Sequence, residues 1–485
     1  MKPNLQGMTR AAGAALLAGV LMTVSAQPAR AQTQPDEPKQ APEVQQLKDR
    51  VKQLEQTVEE LKGQIDVIEG TQKAAAAQQT TAAPVGEAIA AGGPAPVAGP
   101  APAPKQEEKK TGGTFEVYGF AMLDAGYQFG QNHPDWFDTV RPTKLPAFEG
   151  EFTPSGHTYF SVRQSRLGAR STTPTKYGDL KTTFEFELFG TGVDAGQTTF
   201  RLRHAYGELG HFGAGQYWTV FGDVDAFPNT TEYWGPNGLV WYRNVQVRWM
   251  PYKGRNSLTL ALERPGGSGD QGVLANRIEL SDIRPKFAWP DLTGNVRVER
   301  SWGHFQASGI LRSIRWIDAN HSDAFDFGGS AVGWGLSTST GLNFGKNDVG
   351  RFQFTYGEGI ENYMNDAPVD VGAEFNPGNP NKPFKGVALP VFGMSLYLDH
   401  RWNKSYTSAL GYSLLDINNS NAQSPSAFRR GHYASGNLLY NMTDRAMVGG
   451  EFIWGRRENF SDGWSVNDYR TQFSFKYNFS KVFEF

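Results

Sequence analysis

The sequence contains no cysteine, which excludes disulfide bonds, cysteine-ligated metals, thiol catalysis and an N-terminal lipidated cysteine. After the N-terminal region it also lacks an apolar run of the about 18 residues that a transmembrane helix requires. Neither charge dominates, because 47 Lys and Arg residues accompany 49 Asp and Glu residues. This balance argues against nucleic acid as a partner. Only a β-barrel could therefore place this chain within a membrane.

Residues 1–31 have the pattern of a secretory signal peptide. Lys2 and Arg10 give a positively charged start, and residues 11–26 are small and apolar. An A-x-A cleavage site then ends at Ala31. We therefore expect the protein to be exported.

A heptad repeat follows within residues 32–73. Its apolar positions are spaced alternately by three and four residues: Val44, Leu47, Val51, Leu54, Val58, Leu61, Ile65 and Ile68. This seam predicts a coiled-coil helix that associates with other copies of itself. Valine at a positions with leucine at d positions favours dimers, whereas the final Ile65 and Ile68 favour trimers, so the seam alone leaves the order open.

Residues 74–113 have the composition of a linker. In residues 74–110, 23 of 37 positions are Ala, Gly or Pro. Such a segment has too few large apolar side chains to form a core. We therefore place a domain boundary between this linker and the remaining residues 114–485.

Residues 114–485 alternate between apolar and polar side chains with a period of two. For example, Phe184 and Phe186 share one face of a predicted strand, while Glu185 and Glu187 share the other. Clusters of Gly, Asn, Asp and Pro separate about 16 such segments. The pattern predicts an all-β domain.

A soluble β-sandwich would show the same period, so the chemistry of the two faces decides between the alternatives. The apolar face is rich in aromatic residues, as membrane interfaces favour. A charge on a lipid-facing position costs about 2–4 kcal/mol near the bilayer midplane, so the charged face must point inward. Lipid cannot satisfy an open sheet edge, and the sheet must therefore close.

The last predicted strand supports a location in a bacterial outer membrane. Its aromatic residues share one face and include the final residue: Phe473, Phe475, Tyr477, Phe479, Phe483 and Phe485. A last strand of this kind resembles the signal that the outer-membrane assembly machinery recognises. An ordinary buried closing strand is the alternative.

Several segments resemble parts of bacterial porins. Residues 164–170 are similar to the second porin strand, and residues 213–225 and 232–238 are similar to the porin loop that folds into the lumen. Together with the heptads, the Ala/Pro-rich linker and residues 303–312, they resemble the DcaP-like porin family. The order of these parts along the chain carries the resemblance.

The resemblance implies a 16-stranded antiparallel transmembrane β-barrel with an infolded constriction loop. It also implies a homotrimer surrounded by outer-membrane lipid that passes small hydrophilic solutes by diffusion. Members of this family are associated with anionic solutes, including dicarboxylates. The coiled coil would lie in the periplasm, where residues 44–68 could contact another periplasmic component or the cell wall.

In porins, arginines of the second, fourth and sixth strands face acids of the infolded loop. The matching positions here are Arg166, Arg201 and Arg243, with Arg170, Arg203 and Arg248 as neighbours, and Asp223, Asp225 and Glu232 as the loop acids. Residues 114–485 contain 24 Arg and 11 Lys, and the planar guanidinium group suits carboxylates. The resemblance therefore implies a transverse field and a preference for anions.

The phase of alternation orients these arginines. It places Arg201 and Arg203 opposite Phe200, Leu202 and Tyr206, which we expect on the lipid-facing side. Around the segment that is similar to the second porin strand, the alternation has two phases. One phase turns Arg163 inward, and the other turns Arg166 and Arg170 inward. A β-bulge near residues 164–165 would reconcile these two phases.

No motif predicts catalysis, a metal site or a cofactor. The sequence has no HExxH, no phosphate-binding loop and no GxSxG elbow. We therefore expect a channel that is not an enzyme. Two alternatives are an envelope anchor, in which the coiled coil acts and the barrel is mainly structural, and a barrel enzyme such as a lipase or protease.

Overall fold

The structure, a computed structural model, describes residues 112–190, 200–320 and 325–485. The predicted signal peptide, the coiled coil and the linker up to residue 111 lie outside the described residues. In the described part of the chain, no helix has the length and apolar character needed to cross a membrane.

The described residues form β-strands joined by turns, loops and short 3-10 helices. The strands are β1 (Thr114–Gln128), β2 (His157–Ser161), β3 (Arg166–Thr175), β4 (Gly178–Glu187), β5 (Arg201–Leu209), β6 (Phe212–Trp218), β7 (Arg243–Tyr252), β8 (Asn256–Glu263), β9 (Gly269–Asp270), β10 (Ile283–Pro285), β11 (Asp291–Arg300), β12 (Gly303–Asp318), β13 (Gly329–Phe344), β14 (Asp348–Glu358), β15 (Val371–Phe375), β16 (Phe384–Ala388), β17 (Pro390–Arg401), β18 (Tyr406–Ile417), β19 (Phe428–Asn441), β20 (Ala446–Asn459) and β21 (Ser465–Glu484). The 3-10 helices are Pro134–Trp136, Pro142–Lys144, Val224–Ala226, Gly272–Leu274, Ile278–Leu280 and Glu361–Tyr363.

Eighteen of these strands form one sheet that closes on itself. β2 and β3 both pair with β1, one after the other, and together they form one strand of the wall. In the same way, β10 and β11 both pair with β12 and together form one strand of the wall. The wall therefore has sixteen strands, and β1 closes it by pairing with β21 from Thr114 opposite Glu484 to Gln128 opposite Arg470. The remaining β9, β15 and β16 form a small sheet in the loops. The predicted all-β, 16-stranded antiparallel barrel is confirmed.

The two faces of the wall carry the chemistry that the alternation predicts. In β4, Phe184 is exposed on the outer face, whereas Glu185 and Glu187 are buried on the inner face. In β21, the aromatic residues from Phe473 to Phe485 are exposed on the outer face. The apolar outer face suits lipid, and the polar side chains enclose the interior.

The connections at the two ends of the barrel differ in length. At one end the strands are joined by short turns, such as residues 176–177, 210–211 and 301–302. At the other end they are joined by long segments, such as residues 129–156 and 219–242. Short turns face the periplasm and long loops face outward in bacterial barrels, which orients this one.

Two irregularities turn additional side chains inward. Residues 162–165 interrupt the wall between β2 and β3, so Arg163 and Arg166 both lie inside and are buried. In β5, Leu202 pairs with Phe186 and His204 with Glu185, which makes Arg203 the extra residue of a β-bulge.

The bulge at Arg203 reverses the phase of the residues that follow it. Tyr206 therefore lies buried on the inner side. The prediction that Tyr206 shares the lipid-facing side with Phe200 and Leu202 is wrong for this reason. Phe200 and Leu202 precede the bulge and are exposed as expected.

Three long segments fold into the barrel interior, where one was predicted. They are residues 129–156, 219–242 and 359–370. Arg470 of β21 donates hydrogen bonds to the backbone oxygens of Phe137 and Thr139 at 2.8 and 2.9 Å. Polar side chains of the inner wall thus satisfy the backbone of segments that would otherwise extend into solvent.

Candidate functional site

The infolded loop (residues 219–242) connects β6 to β7 and crosses the barrel interior. Near its start, Ser339 of β13 donates a hydrogen bond of 2.6 Å to Asp223. Near its middle, the backbone N–H and the hydroxyl of Thr231 donate to Glu451 of β20 at 2.6 and 2.7 Å. The wall therefore fixes the loop at widely separated strands.

Four of the predicted arginines lie together inside the barrel. They come from β3, β5 and the start of β7, and they surround two carboxylates of β4. This arginine cluster consists of Arg166, Arg201, Arg203 and Arg243 with Glu185 and Glu187. The most exposed of these six side chains, Arg201, is only 12% exposed.

Glu187 is the centre of the arginine cluster. Arg203 Nη1 lies 2.6 Å from its Oε2, and Arg243 Nη2 lies 3.6 Å from its Oε1. Arg201 also binds Oε1, with its Nε at 2.8 Å. Tyr233 of the infolded loop donates its hydroxyl to the same oxygen at 2.6 Å. One carboxylate thus joins the wall to the loop.

Glu185 binds the remaining part of the cluster. Arg203 Nε lies 2.6 Å and Arg166 Nε 3.6 Å from its Oε1. Tyr118 of β1 donates its hydroxyl to Oε2 at 3.0 Å. Since four guanidinium groups share two carboxylates, the arginine cluster carries an excess of two positive charges.

Two guanidinium atoms of the cluster have spare hydrogen-bonding capacity. Nη1 of Arg201 and Nη1 of Arg243 are buried and have no acceptor among the described residues. An unmet donor on a charged group is costly, so these atoms favour an anion or water beside them.

A second charged cluster has the opposite balance. Arg297 of β11 lies 3.0 Å from Asp223, 2.5 Å from Asp225 and 3.0 Å from Glu299. Among these four residues, three carboxylates around one guanidinium leave an excess of two negative charges, before the contact of His304 with Asp223 is counted. The side chains of Asp225 and Glu299 are 42% and 47% exposed. We call these four residues the acidic cluster.

Asp223 is the buried member of the acidic cluster. Nε2 of His304 lies 2.8 Å from its Oδ2. Burial alone would raise the pKa of Asp223, but the hydrogen bond and charge of His304 and the charge of Arg297 outweigh this effect. The pKa of Asp223 is therefore lowered, and its carboxylate fastens the start of the loop to β11, β12 and β13.

Glu232, the third predicted loop acid, lies apart from both clusters and is buried. Its carboxylate accepts hydrogen bonds from the backbone N–H groups of Val140, Trp234 and Gly235 at 3.0, 2.9 and 2.6 Å. Burial raises the pKa of Glu232 to about 7, although the hydrogen bond from Gly235 acts in the opposite direction. Its contacts fasten the middle of the loop to residues 129–156.

The other two predicted arginines lie outside the arginine cluster. Arg170 is 61% exposed, and its Nε lies 2.6 Å from Glu116 of β1. Arg248 donates to the backbone oxygen of Trp218 at 2.6 Å and to the side chain of Gln246. The structure thus brings four of the six arginines together. The pore-lining role of all nine predicted residues stays a prediction.

The site predicted from the sequence lacks the residues that form ion pairs with its members. The alternation of the sequence places Glu185 and Glu187 on the inward face but does not predict which arginines they bind. Arg297 and Glu299 are absent from the predicted site, although they alternate with valines in β11 and so face inward. Their phase was the available signal.

Candidate metal ligands do not come together in the residues that the structure describes. No group of three His, Cys, Asp or Glu side chains in these ranges is arranged to hold a metal ion. The carboxylate of Asp223 instead binds Arg297 and Ser339. The site is therefore built from ion pairs and hydrogen bonds.

Comparisons with known proteins agree with this architecture. The family model described as DcaP outer membrane protein matches residues 110–479. The outer membrane channel DcaP of Acinetobacter baumannii has 18% sequence identity and a TM-score of 0.64, over 77% of this chain and 99% of that chain. Comparison with curated proteins gave no match.

Two further solved structures are similar at a lower level. An anion-selective porin from Comamonas acidovorans has 11% identity and a TM-score of 0.49, over 76% of this chain and 100% of that chain. A loop-deletion mutant of OmpT from Vibrio cholerae has 12% identity and a TM-score of 0.46, over 76% and 99%.

The family match spans most of the chain and nearly all of the barrel. It confirms the resemblance predicted from the sequence motifs, and it supports a porin fold located in the outer membrane. This chain belongs to the DcaP outer membrane protein family.

Proposed function

We propose that this protein is an outer-membrane diffusion porin that favours small anions such as dicarboxylates. The barrel and the family support the porin role. The arginine cluster supports the preference for anions, because its four guanidinium groups accompany only two carboxylates.

The position of the cluster suits selection near the outer entrance. Glu187 is the last residue of β4, Arg201 is the first of β5 and Arg243 is the first of β7. All three lie at the long-loop end of the wall. A solute that enters from outside would therefore meet the positive excess before it reaches the short-turn end.

Guanidinium groups combine strong attraction with planar hydrogen bonding to carboxylates. One charge pair at 4 Å and an effective dielectric of about 20 interacts by about 4 kcal/mol, and desolvation offsets much of this energy. The remaining attraction lowers the barrier for anions while leaving them free to depart, as conduction requires.

The selectivity is tested by the double variant Arg201→Gln with Arg243→Gln. It removes both excess charges, so we expect the anion-to-cation permeability ratio to fall by roughly tenfold. The measurement is the reversal potential across planar bilayers in salt gradients, with potassium salts of chloride and of small dicarboxylates.

A matched control removes two charges from the outer face of the wall, by Arg430→Gln with Arg456→Gln. This control should leave the permeability ratio within about twofold of the parent value, because outer-face charges are separated from the interior by the wall. A cation-preferring parent channel, or an unchanged ratio in the Arg201 and Arg243 variant, would contradict the proposal.

We further propose that the protein is a homotrimer whose coiled coil lies in the periplasm. The heptad seam of residues 44–68 and the family support this assembly. Native mass in detergent should correspond to three chains. Deletion of residues 32–110 distinguishes a diffusion porin from an envelope anchor. Cells with a diffusion porin should keep solute uptake after the deletion, whereas cells that depend on an envelope anchor should lose envelope integrity.

A further inference from the structure

A patch of basic side chains lies on the outer face of the barrel. It consists of Arg284 of β10, Lys286 directly after β10 and Arg315 of β12, all of them exposed. Leu311 and Ile317 share the face of Arg315 and are themselves exposed. We call Arg284, Lys286 and Arg315 the basic patch.

Two members of the basic patch face each other across neighbouring strands. The backbone N–H of Lys286 donates to the backbone oxygen of Arg315 at 2.8 Å, which places the two side chains opposite one another. Like charges at directly opposite positions repel each other. Among the described residues neither side chain has an ion pair or a hydrogen bond, while Arg284 pairs with Asp282 at 3.0 Å. The patch therefore has an excess of two positive charges.

Two outer-face cations elsewhere on the wall, Arg430 and Arg456, are neutralised within the sheet. Arg430 of β19 lies 2.8 Å from Asp416 of β18, and Arg456 of β20 lies 2.8 Å from Glu458. These charges lie at the same long-loop end as the basic patch. The sheet thus supplies acids to one set of outer cations and none to Lys286 and Arg315.

The basic patch lies beyond the aromatic residues that mark the membrane interface. Trp334 of β13 is opposite Leu311 in the register, and its ring centroid lies 5.9 Å from that of Tyr356. Outward-facing aromatic pairs of this kind mark the interface in bacterial barrels. Arg315 lies four residues farther along β12 towards the long-loop end, which is about 13 Å along the strand and about 10 Å in depth for a strand tilted by about 35–45°. This is the depth of the outer-leaflet headgroups.

We propose that the basic patch binds a phosphate group of the phosphorylated glycolipid in the outer leaflet. Phosphate accepts charge-assisted hydrogen bonds from both side chains and removes the repulsion between them. Trp289, which follows Lys286 closely in sequence and is 66% exposed, provides an interfacial contact for the same lipid. The proposal uses the outer-membrane location and is independent of the anion selectivity of the pore.

The test measures lipid retention by the full-length protein in detergent. Native mass spectrometry follows binding of diphosphoryl lipid A to the parent, to Lys286→Gln with Arg315→Gln, and to the matched outer-face control Arg430→Gln with Arg456→Gln. Loss of two charge-assisted contacts should weaken binding at least about tenfold in the first variant. The control should stay within about twofold of the parent. Unchanged heat-modifiable migration and conductance show that the barrels are folded.

Each of the other outcomes would overturn the proposal. Equal retention of lipid A by the parent and the Lys286 and Arg315 variant would show that the patch does not bind the lipid. Inorganic phosphate that binds the parent as tightly as diphosphoryl lipid A would identify a free-anion site. A change in oligomeric mass in this variant alone would identify a contact between subunits.

Discussion

The arginine cluster and the acidic cluster use the same side chains in opposite proportions. Four arginines share two carboxylates in the first, and one arginine serves three carboxylates in the second. Glu187 lies at the long-loop end of the wall, whereas Glu299 is one residue from the short-turn end of β11. Unequal pairing therefore leaves charges of opposite sign at different depths. The electric field inside the barrel is therefore set by the charges that exceed the paired ones, and not by the number of arginines.

The infolded loop connects the two clusters. Asp223 and Asp225 of the loop belong to the acidic cluster, and Tyr233 donates to Glu187 in the arginine cluster. Because both attachments are ionic or charge-assisted, the loop position depends on the same charges that set the field. Substitutions can therefore change stability, selectivity or both.

The largest effect is expected when the arginine cluster loses its central carboxylate. Glu187→Gln leaves the four arginines with one acid, and breaking a buried ion pair in this way costs about 3–5 kcal/mol of unfolding free energy. Urea unfolding of the barrel in lipid vesicles measures the change. Glu116→Gln is the control, since its partner Arg170 is exposed and an exposed pair contributes about 0–1 kcal/mol. Equal losses in the two variants would show that burial does not distinguish these pairs.

A smaller and pH-dependent effect is expected in the acidic cluster. Asp223→Asn removes the charge that binds Arg297 and should cost about 1.5–3 kcal/mol at pH 7. Because the pKa of Asp223 is lowered on folding, its contribution is present above the ordinary value of 3.8 and is lost as the pH falls through the lower folded value. The stability difference between parent and variant should therefore shrink in acid.

Unfolding at pH 7 and at about pH 3 checks this expectation. Ser339→Ala is the matched control, since it removes a neutral hydrogen-bond donor from Asp223 and keeps the carboxylate. The control should retain the acid-dependent loss of stability. A difference between parent and Asp223→Asn that is independent of pH would contradict the role given to the carboxylate.

The faces of the wall were predictable because a period of two fixes them locally. Phe184 and Glu185 could be assigned to opposite sides from neighbouring residues alone. The bulge at Arg203 was not predictable, because one extra residue in a strand leaves no local signal and yet reverses the phase at Tyr206. The inward path of residues 129–156 was also missed, since its backbone is held by side chains as distant in sequence as Arg470.

The residue types of the candidate site were predictable, but their pairing was not. The resemblance to porins points to Arg166, Arg201 and Arg243 and implies that the loop acids face them. The structure instead pairs those arginines with Glu187, and pairs Asp223 with Arg297. Which acid meets which arginine depends on the barrel register and on the path of the loop across the interior. Neither of these is contained in local sequence.

The smallest effect is expected when the exposed negative charges of the acidic cluster are removed. Asp225→Asn with Glu299→Gln leaves Arg297 with the carboxylate of Asp223 alone and should raise the anion-to-cation permeability ratio about two- to threefold. The change is smaller than that expected from Arg201→Gln with Arg243→Gln, because these two acids are 42% and 47% exposed and are better screened by solvent and salt. It also has the opposite sign. Reversal potentials at low and high salt measure it, and the effect should decline as salt increases. If the double variant instead lowered the ratio, the acidic cluster would be acting through the position of the infolded loop and not through its own field.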